Sequence, residues 1–211
     1  MIKAIVFDLD DTLYYEIDYV KSGFQAIADV FGDNNITLKL FTLFSQNRNN
    51  VYQRYGFSKE ECNRCIEIYR SHKPNICLSS EIKGVLVTLK SKGYKLGIIT
   101  DGRPEGQWNK IYALGLEKMV DKIIVTDELG GIEYRKPNPT AFNLMKDYLN
   151  LEYNEMMYIG DNPIKDFQAP QQLGMKCYYF QNKNGLYYDE TVGREFDDKS
   201  EDITELLYQF I

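Results

Sequence analysis

The sequence predicts an α/β fold: a Rossmann-like core with a parallel sheet flanked by helices, plus a small α-helical lobe inserted after the first strand. Three observations carry this. Five short apolar runs, rich in Ile, Val and Tyr, are continuous rather than alternating, as strands covered on both faces are. Helical segments separate the last four runs, which favours parallel pairing. Residues 8–80 show helical spacing and no convincing strand, a stretch too long for a plain loop.

In chain order, the first strand covers residues 3–7 and ends at Asp8. Helical spacing then runs over 16–31, 37–55 and 58–71. The third segment opens with Ser58-Lys59-Glu60-Glu61, a capping-box signature. The chain therefore divides into a core of residues 1–14 and 79–211 and an inserted lobe of residues 15–78. A helix over 81–92 stops at Gly93, a natural C′ residue, before the second strand at 95–99. The third strand is 122–125. Pro139 suits the start of a helix over 140–149, and the fourth strand is 156–159. Asn162-Pro163 reads as a cap and helix start, Gly174 closes that helix, and the fifth strand is 175–180. Residues 181–201 are polar and carry no clear element. A lobe placed after strand one hangs over the C-terminal edge of the sheet, where open α/β sheets bind ligands.

Of 211 residues, 44% are hydrophobic and 27% charged, which excludes disordered and fibrous classes. The 31 acids outnumber 25 basic residues, opposing nucleic-acid polymers and anionic membranes as partners. No apolar run approaches the roughly 20 residues of a membrane helix, and the stretch before Asp8 is too short for a signal peptide. A soluble, cytoplasmic protein is expected; its oligomeric state is not legible. The four cysteines do not resemble a disulfide framework. A lone histidine, His72, excludes multi-histidine chemistry, and G-x-S-x-G, G-x-G-x-x-G and P-loop patterns are missing. Cys62, Cys65, His72 and Cys77 invite a zinc reading. The segment between them continues a helical pattern and its spacing fits no zinc set, so reduced thiols without structural zinc are expected.

The strand ends carry the chemistry. Strand one ends in Asp8-Leu9-Asp10-Asp11-Thr12, strand two in Thr100-Asp101-Gly102, and strand three in Thr126-Asp127, with Arg135-Lys136-Pro137 soon after. Strand four ends in Gly160-Asp161, with Asp166 five residues on. In a parallel sheet these ends share one edge, so four carboxylates, a hydroxyl and an ammonium converge. Two carboxylates about 4 Å apart repel by about 4 kcal/mol at an effective dielectric of about 20, and a divalent cation relieves this. An all-oxygen site favours Mg²⁺. Mg²⁺ and Lys136 together suit a phosphoryl group, and Asp8 and Asp10, two apart, face the same way at the strand end. One can attack phosphorus while the other manages protons. Asp11, Asp127 and Asp147 are read as turn formers or caps.

These motifs resemble the haloacid dehalogenase superfamily: F-D-L-D-D-T at Phe7–Thr12, a strand ending in Thr100, Lys136-Pro137, and G-D-x-x-x-x-D at Gly160–Asp166, all in the family order. The resemblance implies Mg²⁺-dependent phosphoryl transfer through an aspartyl phosphate on a small phosphorylated metabolite, under a helical cap. Carried over by position, Asp8 is the nucleophile and a metal ligand. Asp10 is the general acid and base, with its backbone carbonyl on the metal. Thr100 and Lys136 hold the phosphoryl group. Asp161 binds the metal, and Asp166 supports it directly or through water. Asp101 departs from the Asn common in similar enzymes; it either points away or pairs with Arg103. A sugar phosphomutase ranks lower because Asp11-Thr12 stands where such enzymes typically carry Gly-Val. A dehalogenase ranks lower still, having no use for Asp10 as acid and base. A phospho-receiver domain shares the ingredients but not their order. Among the aromatics Tyr14, Tyr15, Phe24, Tyr52, Tyr55 and Phe57, most are expected in the lobe's core. Tyr14 and Tyr15 are those expected nearest substrate.

Overall fold

The computed structural model describes residues 1–188 and 198–210. Its centre is a sheet of β1 (Ala4–Phe7), β2 (Lys95–Thr100), β3 (Lys122–Val125), β4 (Met156–Gly160), β5 (Lys176–Phe180) and β6 (Lys199–Ser200). The spatial order is β3-β2-β1-β4-β5-β6, with every pairing parallel. All five expected strands are present, their ends shifted by no more than a residue. The edge strand β6 was not legible: Lys-Ser has no apolar signal, and the pair is held by backbone bonds from Tyr179 and Gln181. Part of the polar stretch around it, residues 189–197, lies outside the described residues.

Four helices fill the insertion between β1 and the next core helix: α1 (Glu16–Phe31), α2 (Asn35–Gln46), α3 (Val51–Tyr55) and α4 (Lys59–Ser71). The single helix expected over 37–55 is two. At the break Asn47 Oδ1 accepts the Asn49 N–H at 2.7 Å, an alternative to helical bonding, and Asn50 takes a left-handed φ of 52°. The capping box of α4 is present: Ser58 Oγ accepts the Glu61 N–H, and the Glu61 carboxylate accepts the Ser58 N–H. Val20, Phe24, Ile27, Leu40 and Cys65 form the insertion's own core. Gly23 lets α4 close on α1, because a Cβ there would sit 2.4 Å from the Tyr69 ring.

The core helices explain the continuous apolar strands. Ile5 and Phe7 of β1 pack with Val85, Leu86 and Leu89 of α5 (Ser80–Ser91) and Ile111 and Leu114 of α6 (Pro104–Leu114). Ala4 and Val6 face the other way, onto Phe142 and Met145 of α7 (Thr140–Leu149). Two shorter helices complete the core, α8 (Gln168–Leu173), which ends at Gly174 in the left-handed region, and α9 (Ile203–Tyr208), which packs on α5. The expected helix start at Asn162-Pro163 is corrected. Asn162 Oδ1 accepts the Ile164 N–H and its carbonyl accepts the N–H groups of Lys165 and Asp166, so residues 162–166 form a turn. Asp166 therefore precedes its helix rather than standing in the first turn.

Among the described residues no helix is long and apolar enough to cross a membrane. All four cysteines are free thiols. Cys62 and Cys65 are buried on α4 and Cys77 is exposed. His72 caps α4 with Nδ1 against the Tyr69 carbonyl at 2.7 Å.

Candidate active site

Parallel register sets the site. Phe7 lies opposite Ile98 on one side and Ile159 on the other, so the residues after each strand emerge at one level. There Asp8, 1% exposed, meets Lys136, whose Nζ lies 2.6 Å from Asp8 Oδ1, 2.7 Å from Asp166 Oδ1 and 2.9 Å from the Tyr158 hydroxyl. Carboxylate oxygens of Asp8, Asp161 and Asp166 all lie within 4.8 Å of one another. Burial pushes the Asp8 carboxyl above the usual range, and the pull of Lys136 does not cancel it. Asp161 is pushed up further, by burial and then by the charges of Asp166 and Asp8. Burial opposes the Lys136 ammonium, yet Asp166 and Asp8 hold it above the ordinary lysine range.

Asp8 Oδ2 is buried and has no hydrogen-bond partner among the described residues. An orphaned buried oxygen on a carboxyl clustered with two others is costly unless a cation stands among them. The donor set, all oxygen and multiply charged, fits a hard divalent ion. Thr12 donates to Asp161 Oδ1 at 3.2 Å, and Asp166 Oδ2 accepts the Asn162 N–H at 2.9 Å, so both carboxylates are aimed. Gly160 is required by this packing: a Cβ there would stand 2.5 Å from Asp166 Oδ2.

The Asp10 carboxylate stands outside that triad. Tyr14 and Lys110 donate to its Oδ1, Lys110 at 2.7 Å, and Gln107 donates to Oδ2 at 2.9 Å. Burial raises this carboxyl, but Lys110 and the three hydrogen bonds outweigh it and hold it below the usual range. Gln107 also donates to Thr100 Oγ1, tying the proposed proton carrier to the hydroxyl at the end of β2. Gln107 and Lys110 were missed from sequence. Their signal was present: they are polar residues three apart on the buried face of α6, alongside Ile111 and Leu114.

Asp101 takes neither expected course. Its Oδ1 accepts the Thr126 hydroxyl at 2.9 Å and the Lys136 N–H at 3.0 Å, so it fixes the backbone that carries Lys136; Lys165 Nζ lies 3.9 Å from its Oδ2. Asp127 is held by two Arg135 bonds of 2.7 Å each. Asp11 behaves as the expected turn residue, with a left-handed φ of 55° and its carboxylate accepting the N–H groups of Glu16 and Leu186. Above the site opens a cleft of about 1170 Å³ between the sheet edge and the insertion. Tyr52 lines it, as do Tyr19 and Tyr69, whereas Tyr14 and Tyr15 line a different cavity, with Leu13, Ile82 and Phe180. Tyr14 turns its hydroxyl inward to Asp10, whereas Tyr15 is exposed.

Residues 5–180 match the haloacid dehalogenase-like hydrolase family, far more than half of the chain. The chain belongs to this family. Among its relatives, a glyceraldehyde 3-phosphate phosphatase of Pyrococcus abyssi is 28% identical over 85% of this chain and 82% of its own length. A pyrophosphatase, PpaX, of Bacillus velezensis is 25% identical over 83% of this chain and 81% of its own. The fold matches the putative haloacid dehalogenase-family hydrolase YfnB of Bacillus subtilis, solved bound to magnesium, with a TM-score of 0.69 at 14% identity over 99% of this chain and 98% of that one.

Proposed function

We propose that this phosphoric monoester hydrolase removes the phosphoryl group of a small phosphorylated metabolite, using Mg²⁺ and carrying the group on Asp8 between two steps. The observation that carries this is the buried Asp8 carboxylate, with one oxygen on Lys136 and the other unpartnered, clustered with Asp161 and Asp166. Asp8, Asp161 and Asp166 would hold the metal by their carboxylates and Asp10 by its carbonyl. When bound, Mg²⁺ supplies positive charge that offsets the carboxylates and the transferring phosphoryl oxygens.

The chain's own residues do the rest. Asp8 attacks phosphorus, forming a P–O bond as the substrate's ester bond breaks. Lys136 and Thr100 neutralise and orient the phosphoryl oxygens. Asp10, gripped by Gln107, Lys110 and Tyr14, gives a proton to the leaving oxygen and then takes one from the water that cleaves the aspartyl phosphate. The insertion acts as a cap: its wall over the cleft excludes bulky phosphorylated chains and suits compact metabolites, the triose phosphate acted on by the Pyrococcus relative among those to be assayed.

The test separates the two aspartates. Asp8→Asn has no anionic attacking oxygen, so it forms no phosphoenzyme. Asp10→Asn still attacks an aryl phosphate, whose leaving group needs little protonation, but hydrolyses the intermediate slowly. Intact-protein mass after rapid mixing with aryl phosphate and Mg²⁺ should rise by about 80 Da for Asp10→Asn, mapped to Asp8, and not at all for Asp8→Asn. A phosphoryl group on another residue, or full turnover by Asp8→Asn, overturns the mechanism.

A further inference from the structure

The charges lining the cleft are mostly spoken for. Lys136 is bound to Asp8 and Asp166, Lys110 to Asp10, Arg135 to Asp127, and Lys165 lies near Asp101. On the core side, Arg103 also lines the cleft, and its charge helps to hold the Asp127 carboxyl down. The wall contributed by the insertion is different. It consists of Tyr19, Tyr52, Ile66, Tyr69 and Arg70, with Glu16 at the floor beside Asp10. Burial and the Asp10 charge push the Glu16 carboxyl up to about 7, so at neutral pH it is only partly ionised. Arg70 follows Ile66 by four residues on α4, which puts both on the face toward the cleft. Among the described residues Arg70 forms no ion pair or side-chain hydrogen bond. Tyr52 lines the same cleft, and its hydroxyl likewise has no hydrogen-bond partner among them.

We propose that Arg70, with the Tyr52 hydroxyl in the same cleft, binds a carboxylate on the leaving group, making the preferred substrates small phosphomonoesters that carry a carboxylate as a second anion. The inference rests on the phosphatase reading above and adds what that reading does not give, the chemistry of the leaving group. A guanidinium fork matches the two oxygens of a carboxylate, whereas an aldehyde or alcohol leaves most of its donors unused. The phosphoryl group itself is met at the other end of the cleft by Lys136, so the two cations divide the substrate's two charges between core and insertion.

Three phosphomonoesters on one three-carbon skeleton test this: 3-phosphoglycerate, glyceraldehyde 3-phosphate and glycerol 3-phosphate, with an aryl phosphate as general substrate. The kcat/KM for 3-phosphoglycerate should exceed that for glycerol 3-phosphate by about tenfold or more, the scale of one charge-assisted hydrogen bond. Arg70→Gln should collapse that ratio through KM for the acid, Arg70→Lys should restore part of it, and Arg64→Gln, elsewhere on α4, should leave it unchanged. Equal efficiency on all three esters, a preference for the aldehyde, or an Arg70→Gln variant that slows acid and alcohol alike overturns the proposal. Failure to hydrolyse even the aryl phosphate would refute the phosphatase reading instead, and the carboxylate proposal with it.

Discussion

Replacing Lys136 by Met keeps an unbranched side chain, one atom shorter, and removes its charge, and the structure says how much should follow. The ammonium is fully buried and lies 2.6 and 2.7 Å from two carboxylates, themselves within 4.8 Å of a third. Each contact corresponds to about 6 kcal/mol of attraction at an effective dielectric of about 20. Most of that offsets the cost of burying the charges, and breaking a buried pair by removing one partner leaves a net loss of about 3–5 kcal/mol. In a chain of this length, that is a fall of about 6–20 °C in Tm. The distinguishing feature is the metal response. Without Lys136 the three carboxylates keep only the pull of Lys165, so Mg²⁺ should raise the Tm of Lys136→Met more than that of the wild type. Activity should fall by about 10²–10³, the loss typical of one preorganised donor to a developing charge. Thermal melts in EDTA and in Mg²⁺ measure both quantities. An unchanged Tm in EDTA, or a Mg²⁺ response no larger than wild type, would refute the view that Lys136 and the metal neutralise the same carboxylates.

Removal of metal should also give a pH signature. Asp8 and Asp161 titrate above the ordinary 3.8 in the folded protein, so without metal their contribution to stability is complete below about pH 4 and is lost as pH rises through their folded values. Mg²⁺ displaces those protons, so its Tm gain should grow as pH rises above about 4; a gain independent of pH counts against a metal on these two residues. Lys110→Met removes the cation 2.7 Å from Asp10 and lets that carboxyl rise. With an aryl phosphate, where Asp10 must be ionised to activate water, the acidic limb of the pH–rate profile should move to higher pH, and an unmoved limb would show that Lys110 does not set the Asp10 charge.

The parts of this site that were legible in the sequence share a physical property: their positions follow from local structure. A continuous apolar run forces a buried strand, and the first polar residue after it must stand at the sheet edge. Asp8, Thr100 and Asp161 were therefore placed by reading three strand ends. The residues that escaped are placed by tertiary packing. Gln107 and Lys110 reach Asp10 across some hundred residues of chain because α6 turns its buried face to the strand ends. Polar residues among buried positions of a helix announce a partner but do not say which one. Asp101 was ambiguous for a related reason, since its partners, Thr126 and the Lys136 N–H, lie on segments whose path depends on β3.

The same distinction separates catalysis from specificity in this molecule. The groups proposed for phosphoryl transfer lie on the rigid sheet edge, where Asp8 and Asp166 are both bound by one buried ammonium and Gly160 sets the closest approach. The wall that would meet the rest of the substrate belongs to the insertion, whose helices have a core of their own. Exposed residues on that wall, Arg70 among them, can therefore change without disturbing the carboxylate cluster. A substitution there is expected to alter which ester is chosen while Asp8 and Asp10 keep their division of labour. A change at Lys136 or Gly160 would instead disturb the carboxylates for every substrate alike.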